Sequence, residues 1–169
     1  MLKEEWQFAN VKLKRQPKTG IVTYEEWSDE NRSLHRWNDE PAVIKRDKST
    51  GNITETHYYF NDRPHRENGE PAVAFFTAEG KLKSRLFFVN GKYSRPDGLP
   101  HYEKFNPDNG VMVKAQYRVG SDQARGWALH REKGPAELIF DPETGALLKA
   151  SYYLDGRKRK SLPTPAPGL

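Results

Sequence analysis

The chain contains no cysteine, which excludes a disulfide framework and any thiolate metal site. It has no long hydrophobic run; nothing approaches the roughly 18 continuous apolar residues of a membrane-spanning helix. Met1-Leu2-Lys3-Glu4-Glu5 has no apolar stretch behind it, so no signal peptide is expected. Convincing helical periodicity is missing too, because no segment sustains an apolar stripe every 3.6 residues. Finally, there is no HExxH or HxxxH pair, no P-loop, no Gly-x-Gly-x-x-Gly and no Ser/His/Asp set. These absences predict a protein that is not an enzyme, uses no cofactor and no metal, and resides in the cytoplasm. Catalysis would require residues far apart in sequence, and export by another route stays open.

Of the 169 residues, 35% are apolar and 30% charged, too polar for a thick two-layered core but suited to a thin sheet. The 4 Trp, 8 Tyr and 8 Phe offset this, since each ring can bury about 150–250 Å². The net charge of +5 favours anionic partners without saying anything about fold.

A repeat governs the arrangement. His35-Arg36 precedes Pro41-Ala42, His65-Arg66 precedes Pro71-Ala72, Ser94-Arg95 precedes Pro100, and His130-Arg131 precedes Pro135-Ala136. Gly20, Gly51, Gly80, Gly110 and Gly145 mark the same beat at intervals of 31, 29, 30 and 35 residues. A fixed period of about 30 residues is the signature of a repeat array. Within the second unit, Ile53 to Phe60 is rich in β-branched and aromatic residues. Asn61-Asp62 follows, as Asn90-Gly91 and Asp155-Gly156 do elsewhere, and such dipeptides suit a two-residue hairpin turn. A short strand to Arg66, a turn at Asn68-Gly69 and a return strand opened by Pro71 complete the unit. The expected fold is all-β: tandem antiparallel hairpins with kinked tips, forming one elongated twisted meander sheet.

Asn90-Gly91-Lys92, Asp155-Gly156-Arg157 and the fuller His130-Arg131-Glu132-Lys133-Gly134-Pro135-Ala136 carry a family likeness. Over roughly residues 20–158 the chain resembles MORN-like repeat proteins, in the enlarged variant found in phage, bacterial and giant-virus proteins of unknown role. It departs from the standard pattern in its longer period and in having His-Arg where His-Gly is usual. The resemblance implies serial β-hairpins in an elongated sheet. It also implies a scaffold, a partner-binding module or a membrane-associated piece.

Residues 1–160 form one expected domain, with 1–19 as an N-terminal cap. Trp6, Phe8, Val11 and Leu13 alternate as in a strand, although Leu2, Trp6, Ala9 and Leu13 also fit a helix. Gly120 to Trp127 is an insertion at a hairpin tip, including Arg125, and loops of this kind carry function. Residues 161–169 hold three prolines and are expected to form a disordered tail.

The candidate partner-binding residues are Tyr58, Tyr59, Phe75, Phe87, Arg125, Trp127, Tyr152 and Tyr153. In the doublets Tyr58-Tyr59, Phe75-Phe76, Phe87-Phe88 and Tyr152-Tyr153, alternation sends one ring to each face. One row then builds the core and the other is packed by twist or offered to a partner. His35, His65 and His130, followed by Arg36, Arg66 and Arg131, recur once per unit. That recurrence suits a structural ladder, histidine bonding a turn and arginine pairing with Glu67 or Glu132, better than a repeated anion rim. The basic run Arg157-Lys158-Arg159-Lys160 reads as a guard on the last edge strand or as a phosphate contact. The function expected from all this is a non-catalytic protein-binding module: an inhibitor, an antitoxin- or immunity-like protein, or a phage accessory. Nucleic-acid binding through sheet aromatics and basic residues is the alternative, and binding to anionic membrane surfaces the weaker one.

Overall fold

The structure, a computed structural model, describes residues 9–120 and 127–160. The β-branched and aromatic runs become strands, and the Asn/Asp/Gly pairs become the turns between them. The first unit follows β1 (Asn10–Arg15) with β2 (Val22–Ser28) and β3 (Val43–Arg46). The second comprises β4 (Ile53–His57), β5 (Tyr59–Phe60), β6 (Arg63–Pro64) and β7 (Val73–Phe76). The third comprises β8 (Leu82–Leu86), β9 (Phe88–Val89), β10 (Lys92–Tyr93), a single 3₁₀ turn at Pro96–Gly98, and β11 (Tyr102–Phe105). The fourth holds β12 (Met112–Gln116), β13 (Arg118–Gly120), β14 (Trp127–Leu129) and β15 (Glu137–Phe140). The half-unit at the end is β16 (Leu147–Leu154) and β17 (Arg157–Arg159).

Eleven strands make one open antiparallel sheet in the order β1-β2-β3-β4-β7-β8-β11-β12-β15-β16-β17. This is the all-β meander that the sequence predicts. The strands left out of that order are hairpin tips, β5–β6, β9–β10 and β13–β14. Each tip is set off from its long strand by one residue, the first aromatic of the period. There the Tyr58 N–H reaches Ala72 O (2.7 Å), Phe87 reaches His101 (3.0 Å) and Tyr117 reaches Ala136 (2.8 Å); Trp27, inside β2, reaches Ala42 in the same way (2.7 Å). Tips also bond to the next unit, through Arg66 N–H to Phe88 O (3.0 Å) and Arg131 N–H to Tyr153 O (3.1 Å).

The turns take the conformations their residues favour. Asn61-Asp62 (φ +49° and +61°) and Asp155-Gly156 (+47° and +76°) are left-handed pairs of the hairpin type. At the opposite side of the sheet, Asp141 accepts the N–H groups of Glu143 (3.1 Å) and Thr144 (2.8 Å) before Gly145. Asp47 accepts those of Ser49 and Thr50, and these bonds with the Ser49 hydroxyl lower its carboxyl pKa to about 2. A register shift recurs just before each such loop, at Lys14/Arg15, Lys45/Arg46, Phe75/Phe76, Lys104/Phe105 and Ile139/Phe140. Such bulges raise the local twist, and here the same one is placed in every unit.

Ala42, Ala72 and Ala136, each following its proline, are fully buried. His101 holds that slot in the third unit and is itself half-buried. At the start of the chain, β1 is a strand over residues 10–15, so the helical alternative does not hold there. Trp6 and Phe8 lie outside the described residues, as does the tail 161–169.

Candidate functional site

Pairing register assigns every strand residue to one of two faces, and the two differ in chemistry. One face carries an arginine ladder. The guanidinium carbon of Arg36 sits 4.0 Å from the Trp27 ring centre, Arg66 4.0 Å from Tyr58, Arg95 3.8 Å from Phe87, and Arg131 3.7 Å from Tyr117. Each arginine also points Nη1 at the carbonyl of its unit's proline, Pro41, Pro71, Pro100 or Pro135, at 3.0–3.5 Å. Stacking plus loop closure explains why Arg and Pro keep step through the array. Two carboxylates each bridge a pair of arginines. Glu103, only 4% exposed, is clamped by Arg85 (2.5 Å) and Arg95 (2.6 Å). Glu25 takes Arg36, Arg46 and the Trp27 indole N–H (2.7 Å). Burial pushes the Glu25 carboxyl up, but those hydrogen bonds and charges outweigh it and hold it below the usual range.

The histidines tie units together. His65 Nδ1 accepts the Asn90 N–H and His130 Nδ1 the Asp155 N–H, both at 3.1 Å, so each bonds the turn of the following unit. His101 does the same for Arg118 N–H (3.0 Å). Burial, then the charges of Arg95 and Arg118, lower its pKa, keeping Nδ1 free to accept. His35 is buried and lies against Trp37 and Phe60, and its Nδ1 has no partner among the described residues. The arginines differ in partner from the sequence expectation. Arg66 forks onto Asp39 of the preceding unit (2.9–3.1 Å) and reaches Glu70, while Glu67 faces His65.

The opposite face is aromatic at its centre and rich in lysine along one row, where Lys45 pairs with Glu55 (2.8 Å) and Lys114 with Glu137 (3.5 Å). Direct cross-strand neighbours run Lys14, Tyr24, Lys45, Glu55, Phe75, Ser84, Lys104, Lys114, Ile139, Lys149 from one end of the sheet to the other. The next row includes Val43, His57, Val73, Leu86, Tyr102 and Gln116. At its centre a shallow cleft of about 580 Å³ is walled by Tyr59, Phe75, Leu86, Phe88 and Tyr102, with Lys83 on its rim. Tyr59 stacks on His57 at a 7° interplanar angle, and Phe88 packs on Tyr93 at 4.3 Å. Most of these side chains remain partly exposed. Among the described residues, the strands outside this sheet are the three short hairpin tips.

The eight candidate partner-binding residues therefore divide. Tyr59 and Phe75 line the central cleft. Tyr58 belongs to the arginine face beneath Arg66, and Phe87, 1% exposed, lies beneath Arg95 and Arg85 and presents no surface. Trp127, 47% exposed, stacks on the buried Arg118 (3.8 Å), which also contacts Tyr93 and Tyr102. Tyr152 and Tyr153 are paired with Arg159 and Lys158 at the far end of the sheet. Arg125 lies outside the described residues. The basic run Arg157-Lys158-Arg159-Lys160 is exposed throughout.

Sequence reasoning passed over the ring beneath each arginine, although a spacing signals it. An aromatic stands eight or nine residues before Arg36, Arg66 and Arg95, and the insertion stretches the interval for Arg131. It also missed the lysine row, which exists only once register is known. Among the described residues no group of three or more His, Asp or Glu is placed to hold a metal ion, and no helix is long and apolar enough to cross a membrane. No protein-family model, no curated protein and no solved structure matches this chain.

Proposed function

We propose that this chain is a non-catalytic protein-binding module that grips a larger partner with the aromatic, lysine-flanked face of its sheet. The observation that carries this reading is the central cleft. Tyr59, Phe75, Leu86 and Tyr102 form one partly exposed apolar surface around the buried Phe88. A contiguous apolar patch with a polar rim is what partner-binding surfaces look like, and tyrosines are favoured anchors there. The lysine row adds selectivity for a partner that is acidic around an apolar centre. With the resemblance to MORN-like repeats, this suits a cytoplasmic inhibitor, immunity-like or phage accessory protein. Affinity capture followed by hydrogen-exchange mapping tests it. Protection should centre on Phe75 and Tyr102, and Phe75→Ala with Tyr102→Ala should release the partner. A partner that leaves this cleft unprotected would refute the reading.

The placement of aromatics and lysines on one face favours a second reading, single-stranded nucleic acid. Rings there offer stacking platforms and lysines track the backbone. Mobility shifts with DNA and RNA at two salt concentrations separate the two readings. Binding to neither at low salt removes the second.

A further inference from the structure

We infer that the free edge of β16 takes an extended acidic segment of a protein partner as an added antiparallel strand. The site is separate from the central aromatic cleft. In each complete unit a return strand lies along the outer edge of the long strand. The contact begins where Trp27, Tyr58, Phe87 or Tyr117 donates its N–H to residue 42, 72, 101 or 136. The corresponding residue of the half-unit is Tyr152, one period after these. β17 covers only Tyr152, Tyr153 and Leu154. Over Leu147 to Ser151, β16 has β15 as its only strand neighbour among the described residues. The Ser151 carbonyl accepts the Ala136 N–H (2.9 Å). By alternation, the N–H and C=O groups of Leu148 and Ala150 therefore point outward.

The side chains around that slot state what would fill it. A shallow cleft of about 410 Å³ is lined by Lys149, Lys158, Arg159 and Lys160 with Ser151 and Tyr152, and no carboxylate is among its lining residues. Lys149 and Ser151 lie on the lysine face, Ala150 on the other. Leu147 and Leu148, 56% and 63% exposed, flank the slot and are the most exposed of the large apolar side chains described. An added strand that alternates acidic with aliphatic residues would set carboxylates beside Lys149 and Lys158. Its aliphatic side chains would lie beside Leu148 and Ala150.

Two other occupants fit less well. Residues 161–169 contain no Asp or Glu and have proline at 163, 165 and 167, so they supply neither carboxylates nor a run of backbone donors. A second copy adding its β1 would place Lys12 and Lys14 on the face that carries Lys149, and like charges across strands repel.

The test is fluorescence anisotropy of a labelled eight-residue peptide of alternating Glu and Val, titrated with the full chain at low and moderate salt. A Lys/Val peptide and a labelled oligothymidylate serve as comparisons. The Glu/Val peptide should bind selectively, at least tenfold more weakly after Lys149→Glu with Lys158→Glu. It should also bind at least tenfold more weakly to Ala150→Pro, which deletes an outward N–H while leaving the ladder to β15 intact. Thermal midpoints verify that both variants remain folded, and Leu148→Pro, which deletes the other outward N–H, replaces Ala150→Pro if the latter does not. Ala150→Thr should bind like wild type, because it keeps the outward N–H. Unaltered binding by folded Ala150→Pro would show simple charge attraction and overturn the added strand, as would loss of binding in Ala150→Thr. Equal binding of both peptides, or of the oligothymidylate alone, would overturn it too. So would binding that appears only after residues 161–169 are removed, or concentration-dependent self-association abolished by Ala150→Pro. Loss of partner capture in Phe75→Ala with peptide binding intact would separate this site from the central cleft.

Discussion

Replacing Arg66 tests the ladder at its best-defined rung. Its guanidinium lies 4.0 Å from the Tyr58 ring centre and forks onto Asp39, and its side chain is 19% exposed. Stacking of a mostly covered guanidinium contributes about 1–2 kcal/mol. Asp39 is 62% exposed, so the ion pair adds only about 0.2–1 kcal/mol. The 3.5 Å contact to Pro71 is at the limit of a hydrogen bond and adds little. Arg66→Ala should therefore cost about 1.5–3 kcal/mol, a fall of roughly 4–10 °C in midpoint for a chain of this size. Arg66→Lys keeps the charge but loses the planar fork, and should lose about half as much. Urea unfolding of Arg66→Ala, Tyr58→Leu and the double variant gives the coupling directly, expected at about 0.5–1.5 kcal/mol. An Arg66→Lys variant as stable as wild type, or zero coupling, would refute the stacking argument.

Deleting Gly51 to Glu79 should leave a folded, shorter sheet. Val43 and Lys45 would take over the register of Val73 and Phe75 against Leu86 and Ser84, and Arg95 would stand where Arg66 meets Asp39. The denaturant slope should fall by about a sixth, in line with the residues removed, and an insoluble or non-cooperative product would refute nearest-neighbour stabilisation. Gly69→Val should destabilise more than Gly80→Val in thermal melts. Both glycines are left-handed, at +72° and +85°, and β-branched residues resist that conformation at about 1–2 kcal/mol. Only at Gly69 would a Cβ also meet Pro96, at 3.3 Å. His65→Ala removes the acceptor for Asn90 N–H and should cost about 0.5–1.5 kcal/mol in urea unfolding. Because the folded pKa of His101 lies below its ordinary value near 6.5, the unfolded chain takes up the proton first. Stability is then full above about pH 6.5 and declines as pH falls below it. Midpoints measured from pH 7.5 to 5 should show this slope, and His101→Gln should flatten it.

The architecture was legible because its cues are local and repeat. Asn61-Asp62, Asn68-Gly69 and Pro71 each restrict backbone angles within two or three residues, and the period repeats the same instructions. The exposure of the doublets was not legible. Alternation sends Tyr58 and Tyr59 to opposite faces, but which ring is covered depends on Arg66, eight residues further on and across a turn. The lysine row was hidden for a related reason. Lys14, Lys45, Lys104, Lys114 and Lys149 come together only through nine successive pairings, and a one-residue slip in any of them would send the later lysines to the other face. The pairing of Arg66 with Asp39 crosses from one unit to the next, so no reading confined to a single period could find it.

The sequential order of the sheet has a mechanical consequence. β1 and β16 stand nine strand spacings apart, about 43 Å, and the force path between the ends of the array crosses every strand at right angles. Tension applied there loads the interstrand hydrogen bonds along their own axes, a few at a time, instead of shearing a whole ladder at once. Units would give way singly, each releasing about 100 Å of contour length for its 30 or so residues. The protein is built to be peeled like tape, and a partner gripping its broad face would act as a splint across the seams.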